Sequence, residues 1–192
     1  MCGICGFATE DQALALTRET LRQMCDIMAH RGPDDWGIYL DRSAGLGHRR
    51  LSIIDLSGGH QPMANEDRTI WIAYNGEVYN HAEIRPGLEA SGHRYASRSD
   101  TETLLHLYEQ YGAEMVHRLR GMFAFAIWDQ PRRQLLLVRD RLGIKPLYWW
   151  QDGGRLLFAS EIKSILASGL VRPELDASAL PEFCAFGYNA GE

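Results

Sequence analysis

The sequence has few cysteines, no long apolar segment and no excess of basic residues. Four cysteines among 192 residues are too few for a disulfide-rich scaffold, which favours a reduced, cytoplasmic protein. No apolar run approaches the roughly 18 residues that a membrane-spanning helix needs, and the N-terminus lacks the basic start and cleavage site of a secretory signal. Lys and Arg total 20 against 25 Asp and Glu, a net charge of −5, so we expect no nucleic-acid partner and no membrane association.

The apolar residues that are present suit one globular domain. They make up 45% of the chain, enough for a sizeable core. Helical periodicity bounded by Gly and Pro predicts helices over Thr17–Ala29, His81–Ala90 and Asp100–Tyr111, one after Glu161 and one near Asp176. Strands are predicted at Cys2–Ala8, Trp36–Leu40, Gly45–His48, Thr69–Tyr74, Met122–Trp128, Gln134–Arg139, Leu147–Trp150 and Arg155–Ala159.

Two features of these strands predict how they are layered. The segments Asp129–Arg132 and Asp152–Gly154 indicate hairpin turns and therefore antiparallel pairing. In Met122–Trp128 both alternating faces are apolar, so this strand is expected to be covered on both sides. Antiparallel sheets with two dry faces, plus helices near both ends of the sequence, predict an α+β fold with helix, sheet, sheet and helix layers. A doubly wound parallel sheet is the competing arrangement.

Cys2 is the first candidate for chemistry because it directly follows the initiator Met1. Removal of Met1 leaves a cysteine whose α-amino group, with a reference pKa of roughly 7.7–8.0, lies beside a thiol of roughly 8.5. A base of nearly matched pKa next to a nucleophile is typical of N-terminal nucleophile hydrolases. With Met1 attached the nitrogen is an amide and cannot act as a base, so we expect Met1 to be removed. The alternative is a cysteine without function near the chain start.

Cys2 and Cys5 also form a C-x-x-C pair, for which neither a redox nor a metal role is expected. An odd separation on a strand places the two thiols on opposite faces. Cys25 and Cys184 do not supply the second paired spacing of a zinc site. We expect Cys5 to be a small buried residue, and we predict no metal in this domain.

Seven short segments carry most of the remaining information. They are Met1–Gly6, His30–Asp34, His48–Asp55, Asn75–Asn80, Ser99–Glu102, Gly121–Phe125 and Arg139–Tyr148. In this order they resemble the glutamine amidotransferase domain of glutamine-hydrolysing asparagine synthetases, over essentially the whole chain. The resemblance implies the N-terminal nucleophile hydrolase fold, a four-layer αββα sandwich, which agrees with the layering predicted from the strand faces.

The resemblance also implies roles for individual residues. Cys2 is the nucleophile that attacks the side-chain amide of glutamine, with its own α-amine relaying the proton. Asn75, through its side-chain N–H, and Gly76, through its backbone N–H, form the oxyanion hole. Arg50 binds the α-carboxylate of glutamine in a bidentate manner. Because Arg49 is adjacent on an extended segment, only one of the two arginines is expected to reach the pocket.

Further residues complete the implied substrate pocket. Its backbone lining is expected from Leu51, Ser52, Ile53 and Ile54. Glu77 and Asp100 are expected to hold the α-ammonium group, although either could instead order the loop. Two alternatives stay open: Asn75–Gly76 is also an ordinary turn signal, and Asp100 is also a candidate helix N-cap. His30 and His48 are assigned to structural hydrogen bonds, because the family's nucleophile needs no histidine base.

The implied reaction converts L-glutamine to glutamate and ammonia through a thioester and needs no cofactor in this domain. In the family, a C-terminal synthetase domain uses ATP and magnesium to activate aspartate and receives the ammonia. Nothing in this chain resembles that domain. We therefore assign residues 2–175 to the amidotransferase domain and 176–192 to the start of a linker, and we expect a fragment of a longer protein; a separate synthetase partner is the alternative.

Other functions are left open by the sequence. A stand-alone subunit could supply ammonia for a sugar or natural-product substrate, and purine or hexosamine enzymes carry related glutaminase domains. A non-catalytic interaction domain is disfavoured because Cys2, Arg50, Asn75 and Gly76 are all present. The apparent amino-acid clamp of Arg50 and Asp100 disfavours hydrolysis of an unrelated amide. The oligomeric state is open, with a homodimer as one arrangement.

Overall fold

The computed structural model describes residues 1–52 and 59–188. Within them the strands are β1 (Gly3–Thr9), β2 (Asp35–Leu40), β3 (Ala44–Arg50), β4 (Met63–Ala64), β5 (Ile70–Val78), β6 (Gly121–Asp129), β7 (Gln134–Arg139), β8 (Tyr148–Asp152) and β9 (Arg155–Ala159). The α-helices are α1 (Arg18–Asp26), α2 (His81–Ala90), α3 (Asp100–Tyr111), α4 (Ile162–Leu166) and α5 (Leu180–Phe186). Short 3-10 helices span Gln12–Leu14, Gly112–Arg118 and Ala177–Ala179.

The strands form two antiparallel sheets. The five-stranded sheet has the order β2-β3-β1-β9-β8, and the four-stranded sheet has the order β4-β5-β6-β7. Every neighbouring pair is antiparallel, and the two predicted hairpins are β6–β7 and β8–β9. The competing doubly wound parallel sheet is therefore wrong. Each predicted strand and helix is present; β4 is not predicted, because two residues are too short to show a period.

Helices cover the outer face of each sheet. Helices α1 and α4 pack on the five-stranded sheet, and α2 and α3 lie on the side of the four-stranded sheet. Three apolar layers result, one under each pair of helices and one between the sheets. This is the αββα sandwich that the sequence predicts. No helix in the described ranges has the length and apolar character needed to cross a membrane.

Strand β6 shows why its sequence is apolar on both faces. Phe123, Phe125 and Ile127 pack in the core on the side of α3. The alternate residues Ala124, Ala126 and Trp128 pack between the sheets. Small alanines on the inner face let the two sheets approach closely, while each large side chain buried on the outer face contributes roughly 1.5–3 kcal/mol. The prediction of two dry faces is confirmed.

Asn75 and Gly76 lie within β5, which extends to Val78, and the turn interpretation is therefore wrong. Asn75 pairs with Ala124 and Gly76 with Phe123 on β6. A Cβ at Gly76 would collide with the Met122 carbonyl oxygen and come within 2.6 Å of Phe123 Cα. Glycine is needed here because of the close approach of the neighbouring strand, so the local sequence signal for a turn has a different cause.

Candidate active site

A cavity of about 180 Å³ lies where the start of β1, the end of β3, β5 and the start of α3 meet. It is smaller than the roughly 300–1,000 Å³ of sites for drug-sized ligands, so it suits a ligand of amino-acid size. Its lining is Met1, Cys2, Arg50, Leu51, Gly59, Gln61, Tyr74, Asn75, Gly76, Glu77, Ser99, Asp100, Thr101, Met122 and Lys145.

Cys2 is half-buried at the entry to β1 and is held through its backbone and its sulfur. The Arg31 Nε donates a hydrogen bond of 2.9 Å to the Cys2 carbonyl oxygen. Arg31 Nη1 also lies 3.1 Å from Glu161 Oε1, which fixes the guanidinium. The backbone N–H of Leu51 points at the Cys2 Sγ at 3.4 Å. The Cys2 Sγ also lies 3.8 Å from the Leu51 carbonyl oxygen, so two weak contacts with the Leu51 backbone hold the sulfur at the cavity wall.

Glu161 is the acidic centre of the group that supports Cys2. Burial opposes ionisation of this carboxyl, but hydrogen bonds from Lys163, Arg31 and His30 outweigh it and lower its pKa to about 2. The carboxylate is therefore charged at neutral pH and keeps the Arg31 guanidinium in place. His30 contributes a contact of 2.9 Å between its Nε2 and Glu161 Oε1, a structural role.

Asn75 presents an unused hydrogen-bond donor beside Cys2. Its side chain is 2% exposed, and among the described residues its Nδ2 has no hydrogen-bond partner. Leaving a buried amide donor unpaired is unfavourable by about 1–3 kcal/mol, so an acceptor atom of a ligand in this cavity would satisfy it. Gly76 follows it on the same wall of the cavity. These positions suit the oxyanion hole implied by the sequence, whose role stays a prediction.

Asp100 is the first residue of α3, and the N-cap is its neighbour Ser99, whose Oγ accepts from Thr101 N at 3.2 Å. The N-cap alternative for Asp100 is therefore wrong. Its Oδ2 accepts from the Tyr74 hydroxyl at 2.6 Å and from Val78 N at 3.0 Å. Burial and the nearby Asp100 carboxylate raise the pKa of Tyr74, so the hydroxyl stays protonated and donates.

Adjacent arginines at the end of β3 point to different surroundings. Arg50 is 7% exposed and lines the cavity. Arg49 instead forms an ion pair with Asp26 and donates from Nε to the Cys25 carbonyl at 3.2 Å. The alternation expected for an extended segment thus places one arginine in the cavity and the other against α1.

The other predicted pocket residues are distributed unevenly. Leu51 lines the cavity, whereas Ser52 lies outside that lining and donates its backbone N–H to Asp34 Oδ2 at 2.7 Å. Glu77 is an exposed member of the lining. Ile53 and Ile54 lie outside the described residues, so their predicted place in the pocket stays a prediction.

Sequence reasoning missed Gln61 and Lys145 in the cavity wall. Gln61 Oε1 accepts from Tyr74 N at 2.7 Å, and its Nε2 reaches Thr101 Oγ1 at 3.4 Å, so it joins β5 to α3. A glutamine in an irregular segment carries no periodic signal that could have identified it. Lys145 is 7% exposed and lies in the segment Arg139–Tyr148, where a lone lysine among apolar neighbours was the available clue.

His48 connects the two sheets under the site. It is fully buried on β3, and its Nε2 donates to the Tyr74 carbonyl on β5 at 3.0 Å. Burial lowers the pKa of His48 to about 4, so the imidazole is neutral at physiological pH. This is the structural hydrogen-bonding role assigned from the sequence.

Cys5 lies on a different side of β1 from the cavity. It is fully buried in the cluster under α1, with its Sγ 3.3 Å from Cys25 Sγ. Burial and the neighbouring Cys25 raise the pKa of the Cys5 thiol well above its ordinary value, so it stays protonated. Cys5 therefore acts as a packing residue and does not assist Cys2.

The glutamine amidotransferase domain family matches residues 1–192. The chain belongs to this family. Asparagine synthetase [glutamine-hydrolyzing] 3 of Bacillus subtilis is 41% identical over 97% of this amidotransferase domain and 31% of that protein. Asparagine synthetase [glutamine-hydrolyzing] 1 of the same organism is 44% identical over 98% of this chain and 30% of that protein. Amidase chyE of Penicillium rubens is 45% identical, over 91% of this chain and 27% of that protein.

This amidotransferase domain thus spans about a third of the length of the curated relatives it matches. Among solved structures, it is similar to the B. subtilis glutamine phosphoribosylpyrophosphate amidotransferase, with a TM-score of 0.70 and 19% identity over 88% of this chain and 44% of that one. A structure described as the allosteric regulatory enzyme of purine biosynthesis has a TM-score of 0.72 and 21% identity over 88% of this chain and 43% of that one. The fold class expected from the resemblance is confirmed.

Proposed function

We propose that this chain hydrolyses the side-chain amide of L-glutamine through a thioester on Cys2. The observation that carries the proposal is the buried, unpartnered Nδ2 of Asn75 in the same small cavity as the Cys2 sulfur. A thiol nucleophile needs a donor for the oxygen that becomes negative, and a neutral amide N–H aimed in advance supplies it. The cavity thus holds both groups that acyl transfer to sulfur requires.

The reaction begins with attack of the Cys2 sulfur on the amide carbon of glutamine. The new S–C bond forms as the carbonyl electron pair moves to oxygen, and the N–H groups of Asn75 and Gly76 stabilise the oxyanion. The α-amine of Cys2 takes the thiol proton as the S–C bond forms and then gives it to the leaving nitrogen, so that the C–N bond breaks and ammonia departs as the carbonyl re-forms. Water then attacks the thioester, glutamate leaves, and the thiol is restored.

The ends of the substrate would be recognised by groups of opposite charge. The Arg50 guanidinium suits the α-carboxylate, and the Asp100 carboxylate, oriented by Tyr74, suits the α-ammonium group. Glu77 at the exposed side and Leu51 complete the lining of this proposed binding site, and the roles expected of Ser52, Ile53 and Ile54 stay predictions. The pairing would favour an α-amino acid over a simple amide, because only the α-amino acid offers a carboxylate to Arg50 and an ammonium group to Asp100.

We further propose that the ammonia feeds an ATP- and magnesium-dependent amidation, with aspartate converted to asparagine. The similarity to two glutamine-hydrolysing asparagine synthetases supports this acceptor. Residues 2–175 would form the cofactor-free glutaminase domain and 176–192 the start of the connection to a synthetase domain, which could also be a separate partner. A cytoplasmic location, supported by four free thiols, and a homodimer belong to the same proposal.

A second acceptor class is favoured by a specific observation. The 45% identity to Amidase chyE shows that a relative named as an amidase is as similar in this region as the asparagine synthetases are. An acceptor other than aspartate, such as a sugar or a natural product, therefore remains the second proposal. The cavity recognises glutamine in both cases, so the two alternatives share the chemistry at Cys2.

The test is to supply glutamine to the purified chain and to its Cys2→Ala variant and to measure glutamate and ammonia. Turnover is expected to fall to background in Cys2→Ala. Cys184→Ala is the matched control, because Cys184 is an exposed free cysteine outside the cavity, and it should keep full turnover. Equal turnover by Cys2→Ala would end the assignment. Intact mass should show that active material lacks Met1; full activity with Met1 retained would contradict the α-amine relay.

A further inference from the structure

A second group of chemically capable side chains lies along α3, away from the glutamine cavity. His106 and Glu109 are three residues apart and share one face of the helix, and His93 follows the end of α2. At about 1.5 Å per residue, His106 and Glu109 lie roughly 9–14 Å along the helix axis from Asp100. The group is therefore separate from the residues that surround Cys2.

The three side chains converge on one point. Glu109 Oε2 is 2.8 Å from His106 Nδ1 and 3.4 Å from His93 Nδ1. One ligand-type atom from each residue lies within 4.8 Å of the other two. Donor atoms at the corners of a tetrahedral zinc site, with bonds of about 2.0–2.1 Å, are about 3.3 Å apart. Closing the group around one ion needs the His106 and Glu109 atoms to separate by about 0.5 Å, and the rest of the adjustment falls on His93, the more exposed of the two histidines.

The imidazoles are fixed by their surroundings. The His106 side chain is 1% exposed, and those of His93 and Glu109 are 18% and 20% exposed. The ring of Tyr95 packs edge-on against His106, with 4.7 Å between centroids, and the ring of His93 is 4.8 Å away. Little side-chain entropy remains to be lost when these groups bind an ion, which favours binding.

Neighbouring polar groups are arranged around the cluster in the way that metal ligands are supported. Asn65 Nδ2 donates to Glu109 Oε1 at 2.8 Å, so the other carboxylate oxygen faces the imidazoles. His106 Nε2 is buried and, in the described ranges, makes no hydrogen bond. Glu102 Oε1 lies 3.9 Å from this nitrogen, and the Glu102 carboxylate is anchored by the backbone N–H groups of Ala96 and Ser97 at 2.6 and 2.7 Å.

We propose that His93, His106 and Glu109 bind a divalent transition-metal ion of the zinc type, with water completing the coordination. Two imidazole nitrogens and one carboxylate form a donor set that suits zinc. A carboxylate hydrogen-bonded behind a metal-bound histidine fixes the ring and raises its basicity. Glu102 Oε1 lies 3.9 Å from His106 Nε2, and a shift of about 1 Å on metal binding would bring it into that role. The ion would tie the segment after α2 to α3. This differs from the sequence-based expectation of no metal, which depends on the cysteine spacing alone.

The test uses Co²⁺ as a spectroscopic substitute for Zn²⁺ on the chelator-treated chain carrying Cys2→Ala and Cys184→Ala, so that exposed thiols do not bind the ion. One equivalent of Co²⁺ should give the visible absorption of a low-symmetry nitrogen and oxygen site, and Zn²⁺ should displace it. In the same background, His93→Gln should weaken binding at least about tenfold, since even supporting residues are worth 10–100-fold in metal affinity.

His117→Gln is the matched control, because His117 and Glu114 form an exposed pair with the same i,i+3 spacing, at 3.6 Å. It should bind Co²⁺ like the parent chain. Absence of Co²⁺ absorption in the parent, or equal affinity in parent and His93→Gln, would overturn the proposal in favour of a hydrogen-bonded ion pair. If His93→Gln does not fold, thermal unfolding of the other two proteins still tests the site. Zn²⁺ should raise the Tm of the parent and of His117→Gln, because it binds the folded state, and the absence of any rise would overturn the proposal.

Discussion

The two sheets contribute unlike halves to the candidate active site. From the five-stranded sheet come residues at strand ends: Cys2 precedes β1, and Arg50 ends β3. From the four-stranded sheet come Asn75 and Gly76, inside β5 and paired with β6. The first half carries the group that must move to form a bond, whereas the second carries the donors that must stay still. Preorganised donors stabilise charge without reorganisation, so the rigid strand is the suitable place for them.

The contacts that hold the two halves in place also differ in rigidity. Cys2 depends on Arg31 and on Glu161, a partly exposed residue that also contacts His30 and Lys163. The donor half is fixed by backbone pairing along β5 and by the buried bond from Gln61 to Tyr74 N. If this contrast is correct, changes at the donors Asn75 and Gly76 should affect the rate of the chemical step. Changes at Arg50, or at the support of Asp100, should affect substrate binding.

The largest effect is expected from Asn75→Ala, which removes the buried donor and leaves the strand pairing intact. Loss of one oxyanion-hole donor should lower kcat about 10²–10³-fold with little change in KM. Glutamate release under saturating glutamine measures this. Asn80→Ala is the control, because Asn80 bonds the backbone of Arg118 and Arg120 at the surface and should leave kcat unchanged. A kcat for Asn75→Ala within threefold of the parent would show that the Asn75 side chain does not stabilise the oxyanion.

His48, which joins the two sheets, should make the free energy of unfolding depend on pH. His48 has a pKa of about 4 in the fold against an ordinary value of 6.5, so the unfolded chain binds more protons between these values. The contribution of neutral His48 to the free energy of unfolding is fully present above pH 6.5 and is lost as the pH falls through about 4. The difference between the two pKa values corresponds to roughly 3 kcal/mol.

Denaturant unfolding of the parent and of His48→Gln, from about pH 7 to about pH 4.5, measures this contribution as a difference in which the other titrating groups cancel. Glutamine keeps an N–H donor for the Tyr74 carbonyl but does not titrate, so the variant should lose less stability on acidification. Glu161, with a folded pKa of about 2 against 4.5, stabilises above pH 4.5 and loses its contribution only below that. Parallel curves for the two proteins would show that His48 is not the titrating group.

The sequence could predict the layers of this fold because strand faces report burial directly. The alternation in β6, phenylalanines on one side and alanines on the other, indicates both its period and its two covered faces. The turn signal at Asn75–Gly76 was misleading, because packing of Gly76 against Met122 and Phe123 on β6 overrides the local turn propensity. Gln61 could not be predicted, since its role depends on which elements meet at the cavity.

Arg50→Lys should give the next largest effect, since lysine cannot reproduce a bidentate contact with a carboxylate. A charge-assisted hydrogen bond is worth about 1.5–3 kcal/mol, so KM for glutamine should rise roughly 10–100-fold while kcat changes little. Arg49→Lys is the matched control, because Arg49 pairs with Asp26 outside the cavity. Initial rates over a range of glutamine concentrations separate the two. Equal effects of both substitutions would mean that Arg50 has no specific role in binding the α-carboxylate.

The smallest effect is expected from Tyr74→Phe, which deletes the hydroxyl that donates to Asp100 at 2.6 Å. Asp100 keeps its bond from Val78 N, so the carboxylate is loosened but not lost, and KM should rise about threefold to tenfold, the equivalent of roughly 1 kcal/mol. Tyr108→Phe removes the same chemistry elsewhere, a hydroxyl bonded to Asp129 at 3.1 Å. Both variants should lose similar stability in denaturant, but only Tyr74→Phe should change KM. If kcat fell instead, with KM unchanged, Asp100 would act on the chemical step. The proposed division, in which Arg50 and Asp100 bind the substrate and Asn75 and Gly76 determine the rate, would then be wrong.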